Sequence, residues 1–220
     1  MEFADCFPVW DRLTPAQQRT LAASAAERQV ARGTVLHRGG MDCAGLLVVR
    51  SGQLRAYILS EEGREITLYR LLAGDICLLS ASCVLRNIQF EISVEAERDS
   101  AVWTVPPDIW RALTEESAAA ANFVSELMAS RFSEVMWLME QIMWRSFDQR
   151  LAEFLLQERN LEGSSRLSIT HERIAGHLGS AREVVTRMLR YFQSEGLVEL
   201  SRGRVTLTDE AELARLCKNQ

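Results

Sequence analysis

The sequence predicts an α+β chain: an all-β first half, one long helix and a compact, mostly helical C-terminal part. Three observations carry this. Short apolar or alternating runs separated by glycines fill residues 27–105, an unbroken helical period fills 117–144, and 170–207 read as two short helices, a tight turn between them, and a hairpin. With 220 residues, 47% hydrophobic and 25% charged, the chain is long enough for two cores and has an ordinary globular composition.

Residues 7–26 look helical, with Thr14 before Pro15 as a cap and first-turn pair. Strand-like runs follow at Gln29-Val30, Thr34 to Leu36, Gly45 to Val49, Gln53 to Leu59, Glu65 to Leu71, Phe90 to Val94 and Ala101 to Val105. Turn glycines (Gly33, Gly39-Gly40, Gly52, Gly63, Gly74) punctuate them. Short strands at this spacing indicate a sandwich or barrel. Residues 107–116 suit a short helix. From 117 to 144, Val124, Met128, Val135, Leu138 and Ile142 recur at coiled-coil spacing, broken where Arg131 falls. Such a helix spans roughly 42 Å and needs more than one surface to bury it. Phe123, Leu127, Phe132, Met136, Met139 and Met143 are assigned to its own β-domain, and the Val124–Ile142 seam to a twin helix in a second copy. Arg145-Ser146 reads as a hinge, 147–160 as a further helix, and Glu162-Gly163-Ser164-Ser165 as a loop.

The stretch from Thr170 to Phe192 carries the chemistry. Ile174, Ala175 and Leu178 share one helical face behind Thr170, a suitable N-cap, and Gly179 ends the helix. Ser180 and Glu183 have the spacing of a capping box for the next helix. That helix buries Val184, Val185, Met188, Leu189 and Phe192 and leaves Arg182, Glu183, Thr186, Arg187 and Arg190 on its other side. A helix fits the major groove, where arginine bonds guanine O6 and N7 and glutamate accepts from cytosine N4, which suits Arg182, Glu183 and Arg187. The plainer alternative is a solvated face, with Glu183 capping its own helix and pairing with Arg187. Leu197 to Leu200 and Val205 to Leu207 then form a hairpin around Ser201-Arg202-Gly203-Arg204. Arg202 and Arg204 at its tip suit phosphate contacts, as do Thr170, Ser180, Thr186 and Arg190. The outline is a winged helix-turn-helix.

The string Thr170-His-Glu-x-Ile-Ala-x-x-Leu-Gly179, Ser180-x-Arg182-Glu183-x-Val185-x-Arg187-x-Leu189 and Glu195-Gly196-Leu197-Val198 resembles the DNA-binding domain of the Crp/Fnr family of bacterial transcription regulators. The resemblance implies base contacts by Arg182, Glu183 and Arg187. It also implies a double-stranded, jelly-roll-like β-roll for the N-terminal half, with the Gly33, Gly52, Gly63 and Gly74-Asp75 pattern in agreement, and a parallel homodimer through the long helix. On this reading residues 1–116 form the β-roll sensor, 117–145 the dimerisation helix and hinge, and 146–220 the DNA-binding domain. The implied partners are double-stranded DNA, a second copy, RNA polymerase and a small effector.

Net charge is −5, and the acidity lies entirely in residues 1–145, which hold 14 Lys+Arg against 19 Asp+Glu. Within 170–204 six arginines face four glutamates, with two histidines beside them. Weak non-specific DNA affinity and reliance on a dimer follow.

The effector is not fixed by sequence. Nucleotide-binding members of the family follow a Gly-Glu pair with Arg-Ser or Arg-Thr, whereas this chain has Gly74-Asp75 and then Cys77 to Leu85 with neither pair. A cyclic phosphate is therefore disfavoured. Cys77, Cys83 and Cys43 mark a candidate redox region. The family's iron–sulfur branch uses an N-terminal cysteine cluster, but only Cys6 precedes Cys43; a haem would need His37 or a cysteine. No cysteine or histidine has zinc-site spacing. A cupin-like metalloenzyme would need clustered histidines, and this β-region has only His37, so no enzyme is expected. The other alternative is a winged helix that binds protein. The start lacks a secretory signal and no run is long enough to cross a membrane, so a cytoplasmic location is expected.

Overall fold

The structure is a computed structural model that describes residues 2–39, 43–80 and 91–218. Its contacts divide into two compact units: Met1–Leu59 with Leu68–Met136, and Ser60–Thr67 with Trp137–Gln220. The division falls inside the long helix, not at residue 116 or 145.

The first unit opens with two 3-10 turns, Ala4–Cys6 and Trp10–Arg12, and helix α1 (Pro15–Ser24). Of the helix expected over 7–26, only 15–24 is α-helical; the second turn occupies its front and Ala26 already begins a strand. Thr14 forms a capping box, accepting from Gln17 N at 3.3 Å while the Gln17 side chain accepts from Thr14 N at 3.0 Å.

Among the described residues eight strands follow: β1 (Ala26–Val30), β2 (Val35–His37), β3 (Leu46–Ser51), β4 (Leu54–Leu59), β5 (Glu65–Leu71), β6 (Ile76–Cys77), β7 (Ser93–Ala96) and β8 (Ser100–Val105). They make two four-stranded sheets, ordered β1-β8-β3-β6 and β2-β7-β4-β5. Leu47 and Val49 of β3 enter a core shared with Leu54, Ala56, Leu71, Val94 and Val102. Leu46 and Val48, on the strand's other face, meet Phe7, Leu21, Trp103 and Trp110. Burial on both faces explains why residues 46–49 are uniformly apolar.

Helices α2 (Pro107–Glu116) and α3 (Ala118–Trp144) complete this part of the chain. Phe123, Val124, Leu127 and Met128 all pack against the β-domain core. Arg131 lies with its guanidinium 4.6 Å from the centre of the Tyr69 ring and bonds Glu134 at 2.8 Å. The face carrying Val124, Met128 and Arg131 is thus the inward one. Phe132, 66% exposed, and Met136, Met139 and Met143 form an open stripe, with Ile142 exposed at its margin and Val135 and Leu138 half-buried. This corrects the sequence assignment: Val124 and Met128 belong to the core, while four residues assigned to the β-domain face outward. Apolar residues are so frequent on α3 that two seams with four-and-three spacing coexist. Arg131 decides between them, because its cation finds a ring and a carboxylate on the inward side.

The second unit contains α4 (Phe147–Glu162), β9 (Arg166–Leu167), α5 (His171–Leu178), α6 (Arg182–Ser194), β10 (Val198–Ser201), β11 (Arg204–Leu207) and α7 (Glu210–Leu216). The three strands pair in the order β10-β11-β9. Leu151 and Leu155 of α4, Ile174 and Ala175 of α5, Val185, Leu189 and Phe192 of α6, and Val198 and Val205 of the hairpin share one core. Gly163 ends α4 in the left-handed conformation. Within this unit Thr67 Oγ1 lies 2.9 Å from His177 Nδ1.

Two glycines separate backbone strain from steric clash. Gly52 has φ +90, and a Cβ there would sit 2.6 Å from Asp99 O, whereas Gly63 has φ +80 with open space around it. Gly63→Ala is expected to cost about 1–2 kcal/mol from the positive φ alone. Gly52→Ala should cost clearly more in urea denaturation; equal losses would contradict the close approach of β3–β4 to β8.

Candidate nucleic-acid interface

The interface is built outward from the turn between α5 and α6. Thr170 caps α5, its hydroxyl oxygen accepting from Arg173 N at 3.2 Å, which leaves the hydroxyl proton for an outside acceptor. Gly179 closes the helix at φ 62, ψ 39, and Arg150 Nη1 donates to Leu178 O at 3.2 Å, placing a cation at the carbonyl end. Ser180 N donates back to Ala175 O at 3.0 Å, as in a Schellman ending. Ser180 therefore belongs to the end of α5. The N-cap of α6 is Ala181, without a side-chain cap, so the expected Ser180–Glu183 capping box does not form.

Helix α6 is strongly two-sided. Val185, Leu189 and Phe192 are fully buried, while Arg182, Glu183, Arg187 and Arg190 are exposed and Thr186 is half-buried. Among the described residues none of these charged side chains makes an ion pair with another, which removes the reading in which Glu183 caps its helix and neutralises Arg187. The hairpin turn brings up Arg202 and Arg204, both exposed, around Gly203 at φ 70. Thr170, His171, Glu172, Arg182, Ser201, Arg202 and Gly203 line one cleft of ≈ 650 Å³ between α5, α6 and the hairpin. The described site thus joins unpaired arginines, hydroxyls and a groove-sized helix on one side of a small domain.

One participant escaped the sequence reading. His171 Nδ1 lies 2.9 Å from Thr186 Oγ1, which also donates to Arg182 O at 2.8 Å. Burial, and then the charges of Arg182 and Arg190, lower the His171 pKa below the ordinary histidine value. Its position one residue after the N-cap is visible in the sequence; its contact fifteen residues away is not.

The candidate effector region looks different from its expectation. Asp75 accepts from Leu72 N at 2.7 Å and Gly74 N donates to Val49 O at 2.8 Å, so both hold a turn. Cys77 is a free thiol, fully buried, and burial raises its pKa; it has little thiolate and is set aside as a sensor. Cys43 is in a disulfide. Cys83 lies outside the described residues. His37 is buried on β2, and no group of three or more His, Cys, Asp or Glu among the described residues could hold a metal ion.

A cyclic phosphate needs a cation. Arg55 bonds Glu95 at 3.1 Å, Arg70 bonds Glu97 at 2.7 Å and Arg131 bonds Glu134 at 2.8 Å, so each of these three largely buried arginines of the β-domain already has a carboxylate. The arginine that follows Gly74-Asp75 in sequence, Arg86, lies outside the described residues.

Two family models match the chain. Residues 27–117 match the profile of the cyclic nucleotide-binding domain and residues 149–216 that of the Crp-like helix-turn-helix domain. A solved Crp/Fnr-family regulator from Eubacterium rectale is 56% identical and superposes with a TM-score of 0.96, covering 97% of this chain and 99% of that one. The fumarate and nitrate reduction regulatory protein of Yersinia pestis is 27% identical over 88% of this chain and 79% of its own length. A Crp/Fnr-family regulator from Thermus thermophilus, at 22% identity and a TM-score of 0.70, covers 88% of this chain and 99% of that one and shares the fold.

Proposed function

The chain belongs to the Crp/Fnr family of transcription regulators, and from that premise we propose that it binds an inverted-repeat operator as a homodimer. It is a regulator and not an enzyme. The observation that carries the operator reading is the two-sidedness of α6: Arg182, Glu183 and Arg187 are exposed and, among the described residues, unpaired opposite a buried stripe. In a major groove these three read base edges, while Thr170, Arg190, Arg202 and Arg204 hold phosphates; Thr186, expected among the phosphate ligands, gives its one hydroxyl proton to Arg182 O and positions His171 instead. Ser180 contributes at the turn.

The stripe Phe132, Met136, Met139 and Met143 supports the homodimer, its spacing being that of a two-stranded seam, with Ile142 beside it. A parallel seam sets paired recognition helices about 34 Å apart, one turn of DNA. The β-domain is the sensor. Its paired interior arginines favour an effector other than a cyclic phosphate, and the Cys43 disulfide favours thiol redox state over haem or an iron–sulfur cluster. RNA polymerase is the further partner of such a regulator. No helix among the described residues is long and apolar enough to cross a membrane; the proposed work on DNA supports a cytoplasmic location.

Fluorescence anisotropy on an operator selected from random duplexes tests base reading. Arg187→Ala should cost about 1–3 kcal/mol and relax specificity at one base pair; Arg204→Ala should weaken all duplexes alike and lower the salt slope by about one. Identical losses on every operator variant for both would contradict the assigned roles. The seam is tested by sedimentation: Met139→Glu should give a folded monomer, whereas Val124→Glu should lower the melting temperature of the β-domain. A Met139→Glu dimer as tight as wild type would place the interface elsewhere.

A further inference from the structure

Thr186 has one hydroxyl proton. With that proton on Arg182 O, 2.8 Å away, its oxygen accepts, so the 2.9 Å contact to His171 requires the hydrogen on Nδ1. Nε2 is then the lone-pair nitrogen of a neutral imidazole. Among the described residues it has no hydrogen-bond partner, and His171 lines the ≈ 650 Å³ cleft between α5, α6 and the hairpin turn. The charged groups facing that cleft are Glu172 from its own helix, Arg182 from α6 and Arg202 from the hairpin; Arg190 of α6 acts on the ring as well. Apart from Glu172 they are cationic, an arrangement made for anionic oxygens.

A lone pair repels a phosphate oxygen, whereas a protonated Nε2–H donates to it with charge assistance. We propose that His171 is a phosphate-backbone ligand only in its protonated form, so that each protomer takes up about one proton when it binds duplex DNA. This inference rests on the DNA-binding reading above and deepens it by making affinity depend on pH.

The free protein supplies the starting point. Burial first, then Arg182 and Arg190, hold His171 below the ordinary histidine range, so the ring is neutral near pH 7. A duplex reverses the second cause: its phosphates neutralise those arginines and face Nε2, which raises the pKa in the complex. The favourable contribution is therefore full below the free-protein pKa, where the ring is charged before and after binding. It declines as pH rises between the free and the bound values, by at most about tenfold per pH unit per protomer, and is gone above the bound value.

The test uses the full-length protein and a fluorescein-labelled random-sequence duplex at fixed low ionic strength, titrated between roughly pH 5.5 and 8. Wild type should bind about three- to tenfold more tightly per unit of acidification within the window. His171→Gln, which keeps a donor for Thr186 but cannot titrate, should lose that slope. His171→Arg should bind tightly throughout without it. In parallel, the His171 ring resonances of the wild-type protein should show a higher pKa with duplex than without. A His171→Gln slope equal to wild type, or a ring pKa unmoved by duplex, overturns the proposal while leaving DNA binding intact. Failure of all three proteins to bind any duplex at any pH sinks the DNA-binding reading itself, and this inference with it.

Discussion

The interface depends on one constraint: α6 can bury only one side. Val185, Leu189 and Phe192 are fully excluded from water against α4, α5 and the hairpin, each burial stabilising by about 1.5–3 kcal/mol. Turning the helix to hide Arg182 or Arg187 would expose those residues and bury cations with no carboxylate beside them, a far greater cost. The direction in which the charged side chains point is thus fixed by what their opposite neighbours bury. Gly179 makes the geometry attainable, since its left-handed turn lets α5 stop and α6 leave at an angle that keeps Ile174 and Val185 in one core.

The β-domain follows a different logic, with polarity inside. Arg55 is 1% exposed, pairs with Glu95 at 3.1 Å and stacks its guanidinium 4.2 Å from the centre of the Tyr57 ring. Arg70 and Gln53 converge on Glu97 at 2.7 and 2.8 Å. A buried cation paired in this way is costly to disturb, because removing the carboxylate leaves the charge unsatisfied. At Arg55 and Arg70 an anionic ligand would have to compete with those carboxylates. The likeness to a cyclic nucleotide-binding domain extends to the fold of this region.

Much of this was legible in the sequence because it depends on local rules. Glycine between two apolar periods marked the helix-turn-helix, Thr14-Pro15 marked α1, and the alternation before and after Arg202-Gly203 marked the hairpin. What was not legible depends on choices between equivalent local patterns. Ser180 can cap α6 or finish α5, and only the bond from its amide to Ala175 O selects the second. Helix α3 offers two apolar seams, and Arg131 against Tyr69 selects between them. The two-residue strands β6 and β9 are too short to show alternation. Cys77 sits next to the expected ligand region in sequence, yet its side chain belongs to the packed interior, where a thiol is inert. His171 and Thr186 are joined across the turn by tertiary geometry alone.

The regulator reading comes down to where the exposed side of α6 goes. Guanine N7 lies in the major groove, so dimethyl sulfate reactivity along a selected operator reports on it directly. Protection of guanine N7 in two patches about one helical turn apart, on the same face of the duplex, is the expected pattern. Full N7 reactivity in a complex that nonetheless forms would contradict it, since the arginines at 182 and 187 would then be reading no base in that groove.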